Sequence, residues 1–166
     1  MKKTVAILLG SDSDWDEVKE AASILERFGI GYEARVISAH RSPELLRSFI
    51  RKADRNGVQV YIAAAGGAAH LPGVVAAQTS RPVIGIPIST KQFKGIDSYL
   101  SILQMPGGIP VATMSVGKAG AKNAGILAAQ ILALKDGRLA RSMKEHKSAL
   151  IREVKEKDKK LQAMVK

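Results

Sequence analysis

Three short runs hold the residue types needed for proton transfer and for gripping an anionic, hydroxyl-rich ligand. The first is Gly10-Ser11-Asp12-Ser13-Asp14-Trp15. Glycine permits close backbone approach, and Ser11 and Ser13 together with N–H groups ahead of a helix start form an anion site. Asp12 and Asp14 repel phosphate, so a pure phosphate cradle is disfavoured, whereas a carboxylate suits sugar hydroxyls. Equally, Asp14 stands three residues before Glu17 as an acidic capping box, with Ser11 and Ser13 only shaping the turn. The run is neither a Walker loop nor a G-x-G-x-x-G fingerprint, which removes support for nucleoside triphosphate and dinucleotide cofactors.

The second run is Ser38-Ala39-His40-Arg41-Ser42-Pro43. A histidine beside an arginine, at a strand end and ahead of a helix, joins an acid/base group to an anion clamp. Histidine in general titrates near pH 6.5, which suits it to general acid/base work near neutrality. The plainer alternative has His40 ending a strand and Arg41 in a surface ion pair. The third run, Ala63 to Gly73, carries no charge and one polar side chain, His70. So little side-chain bulk lets the main chain itself approach a ligand. A histidine in an apolar segment is also commonly a satisfied core residue. Two histidines without an acidic cluster do not make a metal site, and His146, in a charged tail, is expected on the solvated surface. The stretch from Gly95 to Pro106 reads as an ordinary helix and loop, or as a lid or subunit contact.

These runs need elements to hold them. Thr4–Leu9 is a short apolar strand ending at Gly10, and Val18, Ala21, Ala22, Leu25 and Phe28 repeat at helical spacing. Tyr32–Ile37 follows as a second strand. Ser42-Pro43-Glu44 opens a helix with a cap residue and a first-turn proline, and Asn56-Gly57 stops it. Val58–Ala64 is the third strand, followed by a short helix after Pro72. Pro82–Pro87, a helix at Ile96–Met105, a strand at Ile109–Met114 and a long helix at Ala119–Leu134 complete the series. Arg138–Lys160 is a charged, exposed helix. Five β-α units in a row predict a three-layer, doubly wound α/β fold of the flavodoxin-like type, with a parallel sheet and a C-terminal helical extension. Residues 1–134 form one catalytic domain, and 135–166 its extension. Ligands of such folds bind beyond the carboxyl ends of the strands, where the three runs fall.

Composition narrows the function classes. The chain has 166 residues, no cysteine and a formal charge of +11. Without cysteine, disulfide scaffolds, thiolate metal sites and cysteine nucleophiles are excluded. Aromatic residues are 4%, too few for base-stacking platforms. Residues 135–166 carry +6 of the charge, so the body lacks a dense basic stripe and nucleic acid is not expected as a partner. From Asn56 to Leu134 only six residues are charged, and such a stretch must be covered by its own fold or by other subunits. The apolar run from Val5 is too short for a secretory leader, and no membrane span is expected; a cytoplasmic location follows.

In order along the chain, Gly-Ser-Asp-Ser-Asp-Trp at 10–15, Ser-Ala-His-Arg at 38–41 and Ala-Gly-Gly-Ala-Ala-His-Leu-Pro-Gly at 65–73 resemble the N5-carboxyaminoimidazole ribonucleotide mutase family of purine biosynthesis. Asp-Ser-x-x-Ser-x-x-Gln-Met-Pro at 97–106 and Gly-Lys-Ala-Gly-Ala-x-Asn-Ala at 117–124 match the same family. The resemblance implies a three-layer α/β homo-octamer that moves a carboxylate from the exocyclic nitrogen to C4 of a ribonucleotide. It implies no metal, no ATP and no organic cofactor. His40 would be the general acid/base; Ser11, Ser13 and Arg41 would hold the 5′-phosphate, and Asp14 the ribose. Ser38 and the backbone of Gly66, Gly67 and onward to His70 would line the base pocket. The Ala-Ala-His-Leu-Pro-Gly form differs from the third loop of enzymes that carboxylate aminoimidazole ribonucleotide directly with CO2. A direct carboxylase, a non-catalytic nucleotide sensor on the same scaffold and a nucleic-acid-binding protein are the competing readings.

Overall fold

A computed structural model describes residues 2–165, in a first unit running to Ala128 and a second from Ala129 onward. The first unit is built on five parallel strands: β1 (Lys3–Leu9), β2 (Gly31–Val36), β3 (Val60–Ala65), β4 (Val83–Pro87) and β5 (Ala112–Thr113), in the order β2-β1-β3-β4-β5. Ile7 of β1 pairs with Ala34 on one side and Ile62 on the other. The chain thus leaves β1 for a neighbour on one side, then returns for a neighbour on the other. That reversal places the loops after β1 and β3 at the switch point, where an α/β sheet opens a crevice.

The strands are joined by α1 (Trp15–Arg27), α2 (Pro43–Arg55), α3 (Leu71–Ala76) and α4 (Ile96–Leu103), and α5 (Gly117–Ala133) follows β5. Both faces of β1 and β3 are buried, as their unbroken apolar sequences require. One face packs Ala6, Leu8, Tyr61 and Ala63 with Leu46 and Ile50 of α2, Leu71 and Val75 of α3 and Ile102 of α4. On the other side of the packing, a Cβ on Gly125 of α5 would stand 2.8 Å from the Ala21 carbonyl and 2.9 Å from Ile24 Cβ. Glycine there lets α1 and α5 approach more closely than any side chain allows.

Several expected details change. The fifth strand shrinks from Ile109–Met114 to Ala112–Thr113, because Gly107-Gly108 and Pro110 precede it and proline offers no N–H to a ladder. The third begins at Val60, since the Val58 N–H closes the end of α2 on the Ala53 carbonyl at 3.0 Å. Neither expected side-chain cap forms: Asp14 and Ser42 make no capping hydrogen bond.

The second unit contains the end of α5 and α6 (Gly137–Met164). Asp136 caps α6, accepting from the N–H groups of Arg138 at 2.9 Å and Leu139 at 3.2 Å. His146 corrects its expected surface position: it is 5% exposed and buried together with Leu139 and Met143. The spacing i, i+4, i+7 puts the three on one helix face. From Leu150 onward every described residue of α6 is exposed.

Candidate active site

A cavity of about 330 Å³ opens at the carboxyl ends of β1, β2 and β3, lined by Ser11, Asp14, Ser38, His40, Arg41, Gly66 and His70 among others. Seven of the nine predicted site residues are therefore brought together. Ser13 and Gly67 are not in the lining. The cavity's remaining wall is Gly10, Ala39, Ala65, Ala68 and Leu71. Of these, Gly10 and the low-bulk run that holds Ala65, Ala68 and Leu71 were read from the sequence as places of close backbone approach; Ala39 lies within the second run but carries no polar side-chain group to mark it.

The loop after β1 begins with a single 3-10 turn at Asp12–Asp14. Ser11 caps it, its hydroxyl accepting from the Ser13 N–H at 3.3 Å and from the Ser13 hydroxyl at 2.8 Å. Ser13 thus aims Ser11 without reaching the cavity. Asp14 is half-buried, and loss of water lifts its carboxyl above the ordinary aspartate value. Glu17 and Asp12 push in the same direction, while the Ser13 hydroxyl and the Ser11 N–H hold it back. Glu17 is not in a capping box because it is engaged elsewhere: its Oε2 accepts from the Ser89 N–H, at 3.4 Å, in the loop after β4.

The loop after β2 is closed on itself. Ser42 donates its hydroxyl to the Ser38 carbonyl at 2.9 Å and accepts the Ser38 N–H at 3.1 Å, which occupies the side chain expected to cap α2. The Arg41 N–H donates to Ser38 Oγ at 3.2 Å, and its Nη2 donates to the Gly10 carbonyl at 3.2 Å. The guanidinium is thereby fixed over the first loop, with donors to spare for an anion.

His70 immediately precedes α3, and its Nδ1 lies 2.7 Å from His40 Nε2. The ring centroids are 4.9 Å apart and the planes cross at 83°. Neither ring is a core residue; both are exposed at the cavity. A contact this short between two imidazole nitrogens requires one ring to donate to the other, so each orients the other. The cavity wall thus carries a pair of imidazoles together with hydroxyls, a carboxylate and a guanidinium. Among the described residues no three His, Cys, Asp or Glu side chains cluster as metal ligands would.

Comparison with known proteins bears on this arrangement. A family profile described as AIR carboxylase matches residues 4–153. The N5-carboxyaminoimidazole ribonucleotide mutase of Thermotoga maritima is 52% identical over 158 residues, covering 95% of this chain and 91% of that protein. The enzyme of the same name from Bacillus subtilis is 53% identical over 147 residues, covering 89% and 91%. The crystal structure of Treponema denticola PurE superposes with a TM-score of 0.86 at 35% identity, covering 95% of this chain and 97% of that one.

Proposed function

The chain belongs to the AIR carboxylase family, and from that membership we propose that it is the isomerase of purine biosynthesis that converts N5-carboxyaminoimidazole ribonucleotide to 4-carboxy-5-aminoimidazole ribonucleotide. The observation that carries this reading is the His40–His70 contact of 2.7 Å at the wall of a cavity whose other residues suit a ribose phosphate. Arg41 and Ser11 take the 5′-phosphate, with Ser13 holding the Ser11 hydroxyl in place, and Asp14 accepts from ribose hydroxyls. Ser38 and the small-residue wall from Gly66 to His70 surround the imidazole, with Gly67 contributing through the position of its neighbours.

The chemistry balances without a co-reactant. The bond between the exocyclic nitrogen and the carboxylate carbon breaks, its electron pair stays on nitrogen, and CO2 is freed. His40 gives that nitrogen a proton. C4 of the ring, made nucleophilic by the amine, then attacks CO2, and the proton leaving C4 returns to His40. Holding CO2 against the ring makes recapture effectively intramolecular, which is the main service of a small, closed wall. A phosphorylated nucleotide substrate supports a cytoplasmic location. It assembles from copies of itself, an octamer by the resemblance, with the exposed apolar row Phe93, Ile96, Leu100 and Leu103 as a contact between copies.

The test is turnover of the carboxyamino nucleotide in bicarbonate-depleted buffer without ATP or added metal. Product formation is expected, and His40→Asn is expected to lower kcat by roughly a hundredfold or more while nucleotide binding persists. Turnover seen only with aminoimidazole ribonucleotide and high bicarbonate would show a direct carboxylase instead.

A further inference from the structure

Ser98, the third residue of α4, is fully buried, yet its hydroxyl is used twice. It accepts from the Gly67 N–H at 2.9 Å and donates to the Ile88 carbonyl at 2.8 Å. The amide can only donate, so the hydroxyl hydrogen must go to Ile88 and the rotor is fixed. The Ile88 N–H in turn donates to the Ala65 carbonyl at 3.0 Å. Three hydrogen bonds therefore run from Gly67 through Ser98 and Ile88 to Ala65, and the main chain through Gly66 closes the circuit. Gly67 has φ +66°, a left-handed conformation that the circuit holds in place. Gly66 and Ala68, on either side of Gly67, both line the cavity, and His70 follows two residues later. The base of α4 is itself anchored, since Asp97 Oδ1 accepts from the Thr90 hydroxyl at 2.9 Å.

We propose that Ser98 is a positioning residue for the reaction: through Gly67 it holds the main-chain wall that confines CO2 beside the imidazole, and it sets where His70 meets His40. The inference rests on the mutase reading above and deepens it. Ser98 touches neither substrate nor the histidines, so its removal acts on the wall's geometry. The phosphate and ribose side of the cavity, built from the loops after β1 and β2, stays in place. Loss of the hydroxyl therefore slows chemistry and lets CO2 escape, with little change in nucleotide affinity.

The experiment follows both products of the carboxyamino nucleotide, the 4-carboxy isomer and the aminoimidazole ribonucleotide left behind when CO2 escapes. For Ser98→Ala, kcat is expected to fall roughly ten- to a hundredfold, as for small displacements in an oriented reaction. KM should stay within about threefold of wild type, because the lost interactions are not with the bound nucleotide. The escaped share should rise severalfold, and the Gly67 amide should exchange with solvent faster. Ser98→Cys leaves no void, its side chain being slightly larger, but hydrogen-bonds weakly; it should show the same pattern, and it answers the question if the alanine variant does not fold. Ser101→Ala is the comparison: its hydroxyl lies 2.8 Å from the Asp97 carbonyl and only 3.3 Å from that of Gly67, and near-wild-type partition is expected. A folded Ser98 variant with kcat within about twofold of wild type and unchanged partition overturns this proposal alone. A wild-type protein without turnover overturns the mutase reading and this proposal with it.

Discussion

Asp14 illustrates the cost of holding a carboxyl at a cavity wall. Its carboxyl is raised above the ordinary value of 3.8, first by loss of water and then by Glu17 and Asp12. Between the ordinary and the raised value the folded protein binds more protons than the unfolded chain, so stability falls as pH rises through that window. At neutral pH the charged group is present and its penalty is fully felt. Asp14→Asn removes that penalty. Thermal melts should show the variant more stable than wild type at pH 7, with the difference shrinking as pH drops toward 3.8. Nucleotide affinity should weaken in the same protein, since an amide accepts more weakly than a carboxylate. A variant that lost stability at pH 7 would mean that Asp14 serves the fold. The cavity positions of His40 and Arg41 were legible from residue type and loop position, whereas Ser38 entered only through the family resemblance and His70 stood open as a core residue. Ser98 was not legible: its partners lie 31 and 10 residues away, and no local pattern ties a helix serine to a glycine in another loop.

Secondary-structure elements position these side chains by approaching one another closely, and α1 and α5 are the clearest case. Gly125→Ala sets two effects of opposite sign against each other. Alanine in a helix interior gains up to about 1 kcal/mol over glycine. The added methyl would meet the Ala21 carbonyl at 2.8 Å and Ile24 Cβ at 2.9 Å, and overpacking of this kind costs about 1–3 kcal/mol. Backbone on the receiving side cannot rotate away, so the cost wins. Urea titration should show a net loss, and α1 pushed outward should also weaken nucleotide binding through the first loop. At this scale the apolar runs located all five strands and the helices between them. The cap positions Asp14 and Ser42 were read correctly, but their side-chain bonds do not form: Glu17 finds its partner 72 residues away and Ser42 turns back to Ser38. The fifth strand was overextended because apolar content outweighed the glycines and proline that limit its pairing.

For the molecule as a whole, charge and apolar surface point in different directions. The basic excess is concentrated in the C-terminal part of the chain, whereas the charge-poor middle is only partly buried by its own fold. β3 and β4 are wholly enclosed, but Phe93 is 64%, Ile96 62%, Leu100 49% and Leu103 44% exposed. Ile96, Leu100 and Leu103 at helical spacing, with Phe93 in the turn before them, are a costly surface to leave in water and a natural one for a second copy. Light scattering should find wild type as a homo-oligomer, and the double change Ile96→Glu with Leu100→Glu should shift it to smaller species. An unchanged mass would place the subunit contact elsewhere. No helix is long and apolar enough to cross a membrane among the described residues.

The cavity's small-residue wall has a consequence for how the site can be altered. Ala65, Gly66 and Ala68 present peptide groups, and a peptide group is the same whatever residue supplies it. Substitution there can fill space or strain a turn, but it cannot install a new charge, acid or donor without consuming cavity volume. Selection and protein engineering therefore have unequal access to the two sides of the pocket. The loops after β1 and β2 can be rewritten one side chain at a time to accept a different sugar or anion, while the wall after β3 admits change only by remodelling its backbone. An inhibitor that hydrogen-bonds mainly to that wall would leave resistance few single substitutions to exploit.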